Sequence, residues 1–501
     1  MPVPSTALEN LLTRLADIHN LDQSTALLEW DQLVMMPPKG AEARAKQLST
    51  LAKLSHELHV ARETQDLLAA AEAEKPGDED HKAMLRVARR NLDKAIKVPT
   101  SLVVALKETT ALAHEVWAKA RTDNNYPAFA PWLEKLLHLK RQYAAAIDPR
   151  KPIYDVLHDD YEEGMTTATL DPLFATLKNE TIPFVAAIQE HADRVSEEPL
   201  TRDYDPALQQ KFAIDILRAC GLPFDRARLD TSVHPFCTNF SPNDVRITTR
   251  YEKNWLPGAL FGVMHEMGHA FYELNINPAY EHTPLSGGVS LGVHESQSRL
   301  WENLVGRSRG FWNRFYPHLQ QTFHAQLAAT PLDTFYKSIN RVKPSFIRVE
   351  ADEVTYNLHI ILRYEMEQEL LTQKLSVQDA PQRWNEKMRQ SLGITPPTDR
   401  EGILQDVHWS GGGIGYFPTY SLGNILAAQL FQSAKKDLPS LMPDIQSANF
   451  APLYSWLKTH VHHHGRKYPP AQLIPLATGQ PLTTEPYLHY LKTKFSEIYE
   501  L

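Results

Sequence analysis

Apolar residues recur at three- and four-residue intervals through about the first 230 positions of this 501-residue chain. That spacing is typical of amphipathic helices, because about 3.6 residues complete one helical turn. The pattern covers residues 42–74, 80–98, 101–122 and 127–147, and proline and aspartate mark the breaks between segments. No low-complexity linker or fixed-period repeat interrupts it. We therefore predict a mostly helical chain that forms one large unit.

One segment departs from the helical pattern. Residues 229–251 are rich in β-branched and aromatic side chains around a Ser-Pro-Asn-Asp turn, and residues 244–248 alternate polar and apolar. We expect a short hairpin or small sheet here, before the chain returns to helix at Pro257. Gly- and Pro-rich passages at residues 283–292 and 410–423 are expected to be irregular.

Composition excludes several classes of protein. The formal net charge is -8, so no nucleic-acid partner is expected. Two cysteines cannot form a disulfide framework and fit a reducing compartment. No run of 18 apolar residues is present, so no membrane span is expected. The first ten residues lack the basic and apolar regions of a secretory signal, and we expect a cytoplasmic protein.

The sequence His265-Glu266-Met267-Gly268-His269 lies inside the helical pattern of residues 257–274. Residues four apart lie about 40° from each other on one helix face, so both imidazoles can bind one metal ion. Zinc prefers such ligands, and Glu266 is placed to act on water rather than to bind the ion. Gly268 costs about 1 kcal/mol in a helix interior, which a purely structural helix has no reason to accept.

A third ligand must follow later in the chain. Tyr272 and Asn275 exclude the short-spacer motif HExxHxxGxxH, which would place Gly and His there. Glu295 opens a new helical pattern and would complete a two-histidine, one-glutamate set. The alternative, equally supported by spacing, is an acid favoured by the helix dipole. Glu302, further along the same face, is the next candidate.

These motifs together resemble those of the carboxypeptidase Taq family of metallocarboxypeptidases. HEMGH followed by His294-Glu295-Ser296 carries the resemblance, and it extends over nearly the whole chain. The further matching segments are His234-Pro235-Phe236 and residues 30–48, 244–248, 347–352, 402–409 and 464–468.

The resemblance implies a large, mostly helical, saddle-like fold with a deep active-site groove, similar to the angiotensin-converting enzyme and neurolysin group. It also implies Glu295 as third ligand, zinc with cobalt as a possible substitute, and a homodimer. The implied activity removes single residues from the free C-terminus of peptides, with broad specificity and poor cleavage at proline. We expect one catalytic domain over residues 1–501, with 1–228 covering the groove and 229–501 carrying the metal and substrate sites.

Roles follow from this chemistry. Glu266 would take a proton from water and pass it to the leaving amine. His408, Tyr416 and Tyr420 lie on or beside a Gly-rich stretch and could stabilise the oxyanion, with ordinary packing as the alternative for each tyrosine. This stretch lacks a GK[ST] sequence, which argues against a nucleotide site.

An exopeptidase must recognise a terminal carboxylate, which arginine does by paired hydrogen bonds. Arg348 is the first choice and Arg246 the second, and His234 is placed with them in the substrate site because its motif matches. Asp352 is a plausible helical partner of Arg348 and would weaken that assignment.

Two further hypotheses remain open. An endo-acting oligopeptidase would share the metal site. A non-catalytic helical scaffold would carry a decayed motif, and the intact ligands argue against it.

The histidines at 460 and 462–464 lack a nearby carboxylate or cysteine at helical spacing, so we expect no metal role for them.

Overall fold

The computed structural model describes residues 6–501, which are mostly α-helical. The helices are α1 (Ala7–Val34), α2 (Ala41–Val60), α3 (Arg62–Ala73), α4 (Glu79–Lys97), α5 (Thr100–Asp123), α6 (Tyr126–Ile147), α7 (Ile153–His158), α8 (Thr167–Gln189), α9 (Pro206–Ala219), α10 (Leu256–Leu274), α11 (Leu291–Arg299), α12 (Arg309–Thr322), α13 (His324–Leu327), α14 (Leu332–Ile339), α15 (Tyr356–Leu371), α16 (Ala380–Leu392), α17 (Pro418–Asp437), α18 (Leu441–Gln446), α19 (Ala451–His460), α20 (Pro470–Thr478) and α21 (Glu485–Tyr499). A π-helical segment, Leu300–Val305, continues α11. The strands are β1 (Ala227–Thr231), β2 (Cys237–Ser241) and β3 (Asp244–Thr249).

The helical pattern of the sequence predicted most of these elements. The segment 42–74 is two helices rather than one, because Ala61 adopts an extended backbone with ψ 147°. Pro99 precedes α5, as the break at that position predicted. The passage 410–423 is irregular only up to Phe417, since α17 begins at Pro418, where a proline at the first helical position is favourable. The mostly helical fold class is confirmed.

The described chain divides into two compact units. Unit 1 comprises the chain up to Ile96, Glu198–Ile339 and Leu430–Pro481; unit 2 comprises Lys97–Glu197, Asn340–Gln429 and Leu482–Leu501. Both units draw on chain from either side of residue 228. The division into a groove-covering part and a site-bearing part remains a prediction. No helix within residues 6–501 combines the length and hydropathy needed to cross a bilayer.

Unit 1 contains the small sheet and the helix with the HExxH sequence. The strand order is β1-β3-β2, with β1 parallel and β2 antiparallel to β3. The β2–β3 hairpin turns at Pro242 and Asn243, as the sequence indicated. Val245 and Ile247 of β3 are fully buried, and α10 packs against this strand. The sheet therefore lies beside the metal-motif helix, as expected.

Unit 2 is helical and is organised around α15. This helix packs against α6, α7, α8 and α16. Its apolar residues are buried on several faces, which removes the usual amphipathic pattern, and the polar Arg363 and Glu367 are buried with them. Such polar groups need partners to offset their desolvation, and several of their partners lie in residues 402–415.

Candidate metal centre

Gly268 sets the distance between α10 and α11. A Cβ atom at this position would lie 2.4 Å from the carbonyl oxygen of Gln297 and 2.6 Å from Cα of Ser298. Only glycine therefore permits this crossing. The inference that a structural helix has no use for Gly268 was wrong, because the glycine has a packing role. That packing brings α11 against the histidine face of α10.

The crossing brings His265, His269 and Glu295 together. One ligand atom from each lies within 4.8 Å of the others. Oε2 of Glu295 is 3.6 Å from Nε2 of His265 and 3.4 Å from Nε2 of His269. Among residues 6–501, no other group of three or more His, Cys, Asp or Glu residues has this arrangement. Spacing left Glu295 open, and the structure places it with both histidines.

Glu302 orients the first histidine. Its Oε2 lies 2.9 Å from Nδ1 of His265, and a carboxylate can only accept, so Nδ1 carries the proton. In the neutral ring, the lone pair is then at Nε2, which faces Glu295. Arg299 and Arg307 pair with Glu302 at 3.3 and 3.6 Å. From the sequence, Glu302 was the next candidate for the third ligand. In the structure, Glu302 is instead the hydrogen-bond partner of His265.

A second chain of hydrogen bonds orients His269. Nε2 of His294 lies 2.7 Å from Oε1 of Glu273, so this nitrogen carries the proton. In the neutral ring, Nδ1 of His294 is then free to accept a hydrogen bond from Nδ1 of His269, 2.5 Å away. Asn239 donates to the other oxygen of Glu273 at 3.0 Å. With both rings neutral, the ligand histidines would present the lone pair of Nε2, which is the form a metal requires.

The local electrostatics favour positive charge. Burial alone would lower the pKa of His265, but Glu295 and Glu302 raise it to about 9. Burial opposes ionisation of Glu295, yet Arg299, whose Nε is 2.6 Å from Oε1, and the two histidines hold its pKa well below the ordinary value. Burial raises the pKa of Glu266 to about 7. Two imidazole nitrogens and one carboxylate oxygen in this field form a donor set that fits a divalent metal.

The three residues predicted to stabilise the oxyanion lie in unit 2 and contact one another. Nε2 of His408 is 3.3 Å from the hydroxyl of Tyr420, and the rings of His408 and Tyr416 are 5.1 Å apart. Burial lowers the pKa of His408 to about 4, so the ring is neutral at pH 7. Each of the three residues is partly exposed.

Arg348 has a partner that the sequence did not indicate. Its Nη2 lies 2.8 Å from Oδ1 of Asp406, and Nη1 donates to the hydroxyl of Tyr356 at 2.9 Å. Asp352 was the wrong partner: it accepts from the backbone of Lys343 and from Thr355 instead. A helical i+4 contact cannot form because residues 348–350 form a single 3-10 turn followed by an extended Ala351.

The other two predicted substrate-site residues lie in unit 1. Arg246 on β3 is bidentate with Asp244, at 2.8 Å for both bonds, and its guanidinium lies 4.2 Å from the ring centroid of Trp30. His234 is exposed in the connection between β1 and β2, where its carbonyl accepts from Ser232. Both roles in substrate binding remain predictions.

Comparison with known proteins decides the family. The chain matches the carboxypeptidase Taq (M32) metallopeptidase family over residues 10–495. The chain belongs to this family. It is 40% identical to thermostable carboxypeptidase 1 of Thermus thermophilus, over 99% of each chain. The crystal structure of the M32 carboxypeptidase from Deinococcus radiodurans is similar with a TM-score of 0.97 and 39% identity, over 99% of this chain and 100% of that one. Metallocarboxypeptidase 1 of Trypanosoma cruzi has a TM-score of 0.94 and 33% identity, over 98% and 99%.

The M32 chain is thus a metallocarboxypeptidase, a metal-dependent peptide hydrolase, and the resemblance noted in the sequence is confirmed. The sequence analysis did not identify three residues that support the metal ligands. His294 immediately precedes Glu295, and Glu273 follows His269 by four residues, which was an available signal. His462 is buried and faces Oε1 of Gln297 at 2.8 Å, so this late histidine supports the helix that carries Glu295.

Proposed function

We propose that the metal of this carboxypeptidase is zinc and that Nε2 of His265, Nε2 of His269 and Oε2 of Glu295 hold it. The convergence of these three atoms, with both rings oriented by acceptors at Nδ1, carries the proposal. Zinc would acidify water and polarise the substrate carbonyl. Cobalt, which accepts the same nitrogen and oxygen donors, would be a substitute.

Glu266 would be the general base. It is adjacent to His265 on α10, is 6% exposed, and is not among the three converging ligands. It would accept a proton from the attacking water and return it to the leaving amine as the peptide bond breaks. The same carboxylate would therefore serve both proton transfers.

His408, Tyr416 and Tyr420 would stabilise negative charge on the substrate carbonyl oxygen. Each can donate a hydrogen bond while uncharged, and the contact between Nε2 of His408 and the Tyr420 hydroxyl supports a joint action. Preorganised donors of this kind are worth about 10²–10³-fold in kcat when one is removed.

Arg348 would bind the terminal carboxylate of the peptide, with His234 and Arg246 as further substrate contacts. Asp406 receives two guanidinium groups, from Arg348 and Arg363, so this cluster retains a formal positive charge. A guanidinium has five N–H groups, and the bonds to Asp406 and Tyr356 leave Arg348 with donors for a second anion. Removal of single residues, broad specificity and poor cleavage at proline follow from the family resemblance.

A cytoplasmic location and a homodimeric state complete the proposal. Cys220 and Cys237 are both free thiols, which suits a reducing compartment. The dimer rests on family resemblance, and light scattering coupled to size-exclusion chromatography would measure it.

One digestion tests the activity. A defined unstructured peptide is incubated with the zinc-loaded enzyme, and the products are read by mass spectrometry at several times. A ladder that shortens from the C-terminus one residue at a time is expected. Internal fragments would indicate an endopeptidase instead. Metal analysis of the protein as purified from cells, with about one zinc per chain, tests the ion separately.

A further inference from the structure

A buried carboxylate touches both ends of the glycine-rich loop, residues 409–415. Glu367 lies on α15 and is 1% exposed. Its Oε1 accepts from Nε1 of Trp409 at 2.8 Å. Its Oε2 accepts from the backbone N–H of Gly415 at 3.0 Å and from the hydroxyl of Tyr154 at 2.8 Å. None of the proposed catalytic steps uses this group.

The two contacts with the loop are adjacent to two proposed oxyanion donors. Trp409 directly follows His408, and Gly415 directly precedes Tyr416. One side chain therefore holds the loop at both ends, next to the residues whose positions matter. Because the loop consists largely of glycine between these points, its own sequence supplies little rigidity.

Gly415 is held from its other side as well. Its carbonyl oxygen accepts from Nδ1 of His158 at 2.8 Å. Gly415 has φ +84°, and a Cβ atom there would lie 3.0 Å from the backbone nitrogen of His158. The residue thus fills a space that only glycine fits, and both its backbone N–H and its C=O are bonded.

We propose that Glu367 is a positioning residue that sets His408 and Tyr416 by fixing both ends of the glycine-rich loop. The inference rests on the oxyanion-stabilising roles proposed above for those two residues. It assigns a function to a side chain that the chemistry would otherwise leave unexplained.

The surroundings of Glu367 demand a carboxylate. Three donors and no acceptor contact its two oxygens, so an amide in its place would direct an NH₂ group at another donor. No arginine or lysine within residues 6–501 forms an ion pair with it, and burial raises its pKa to about 7 despite the three hydrogen bonds. Arg363 and Lys140 act on Glu367 only from beyond ion-pair distance. A buried carboxylate without a direct ion pair is unfavourable for stability, so packing alone does not explain the choice.

The test compares Glu367→Gln with Glu365→Gln. Glu365 is on the same helix and pairs with Lys178 at 2.7 Å and Lys387 at 2.6 Å, but it has no contact with the loop. We expect Glu367→Gln to lower kcat about 10- to 100-fold, because misplacement of a catalytic group by about 1 Å can cost about 10²-fold. KM and zinc content should change little. Glu365→Gln should lower the melting temperature while kcat stays within about twofold.

A kcat within about twofold of wild type for Glu367→Gln would overturn the proposal. If that variant does not fold, Glu367→Asp carries the test, because it keeps the charge but shortens the reach to Trp409 and Gly415. It should lose kcat while the protein remains folded. Unchanged kcat in the aspartate variant overturns the proposal equally.

A combined variant separates this inference from the function on which it rests. His408→Gln and Tyr416→Phe test the oxyanion roles alone, and full activity in both would refute those roles and the positioning together. If they lose activity and Glu367→Gln does not, only the positioning fails. Added to the His408→Gln/Tyr416→Phe background, Glu367→Gln should cost less than about threefold, because its targets are already gone. A full multiplicative loss would show that Glu367 acts elsewhere.

Discussion

Two buried charge clusters, one in each unit, differ in the sign of their imbalance. In unit 1, four carboxylates lie around His265, His269 and His294, and two guanidinium groups accompany them: Glu266, Glu273, Glu295 and Glu302 with Arg299 and Arg307. In unit 2, a single carboxylate, Asp406, receives both Arg348 and Arg363. Burial opposes ionisation of Asp406, but the two arginines hold its pKa well below the ordinary range.

This difference shows what each cluster needs from outside the chain. Buried charge is costly unless it is matched, so a cluster rich in carboxylates beside two imidazoles favours a dication. A positive excess favours an anion, and the free C-terminus of a peptide is one. The same residue types, acids with arginines, therefore support opposite roles when their proportions differ.

The largest effect is expected from Glu266→Gln in the unit 1 cluster. The amide cannot accept the water proton, so kcat should fall about 10²–10⁴-fold. Zinc content, measured by mass spectrometry of the desalted protein, should remain near one per chain, because Glu266 is not a ligand. Loss of the metal together with activity would contradict this division of roles.

Arg348→Ala tests whether the unit 2 cluster binds the peptide carboxylate. Removing one partner of a desolvated charge pair costs about 2–5 kcal/mol. We therefore expect kcat/KM on free-acid peptides to fall about 30- to several-thousand-fold, at about 1.4 kcal/mol per decade. Amidated peptides should be poor substrates for the wild type and change little with the mutation. Equal slowing of both substrates would instead make Arg348 structural, through Asp406 rather than Asp352.

Glu302→Gln tests the support of the metal ligands. Removing the charged acceptor at Nδ1 of His265 should weaken zinc binding about 10- to 100-fold, as competition with a chelator would measure. His294→Ala should act similarly through His269. Glu42→Gln is the control, because Glu42 forms only an exposed pair with Lys46. Wild-type affinity in both variants would show that Glu302 and His294 have only a packing role.

Gly268→Ala is expected to have the smallest effect, on stability. The added methyl group meets the backbone of α11, and overpacking of this kind costs about 1–3 kcal/mol in unfolding free energy. Gly262→Ala on the same helix is the matched control: its Cβ would approach only Thr249, at 3.6 Å, so the higher helix propensity of alanine should stabilise by up to about 1 kcal/mol. Denaturant unfolding of both proteins measures the contrast.

What was local in the chain could be predicted from the sequence. The helices, the hairpin before α10 and the shared face of His265 and His269 all follow from periodicities of a few residues. Glu295 required more: spacing alone left it undecided, and family resemblance favoured it. In the structure, the close approach of Gly268 to Gln297 packs α10 against α11 and so places Glu295 beside the histidines. Such a contact between two helices cannot be predicted from the spacing of residues.

The partners of the buried charges depend on contacts between segments that are far apart in the sequence. Asp406 lies 58 positions from Arg348, and Trp409 lies 42 from Glu367, so no local pattern links them. Asp352 was predicted as the partner of Arg348 on the assumption of a continuous helix. The chain is extended after Glu350, so these two side chains do not pair. Periodicity determines which residues share a face of one helix. Which distant charge that face meets depends on packing between helices, because a buried charge is matched by whichever groups the fold brings to it.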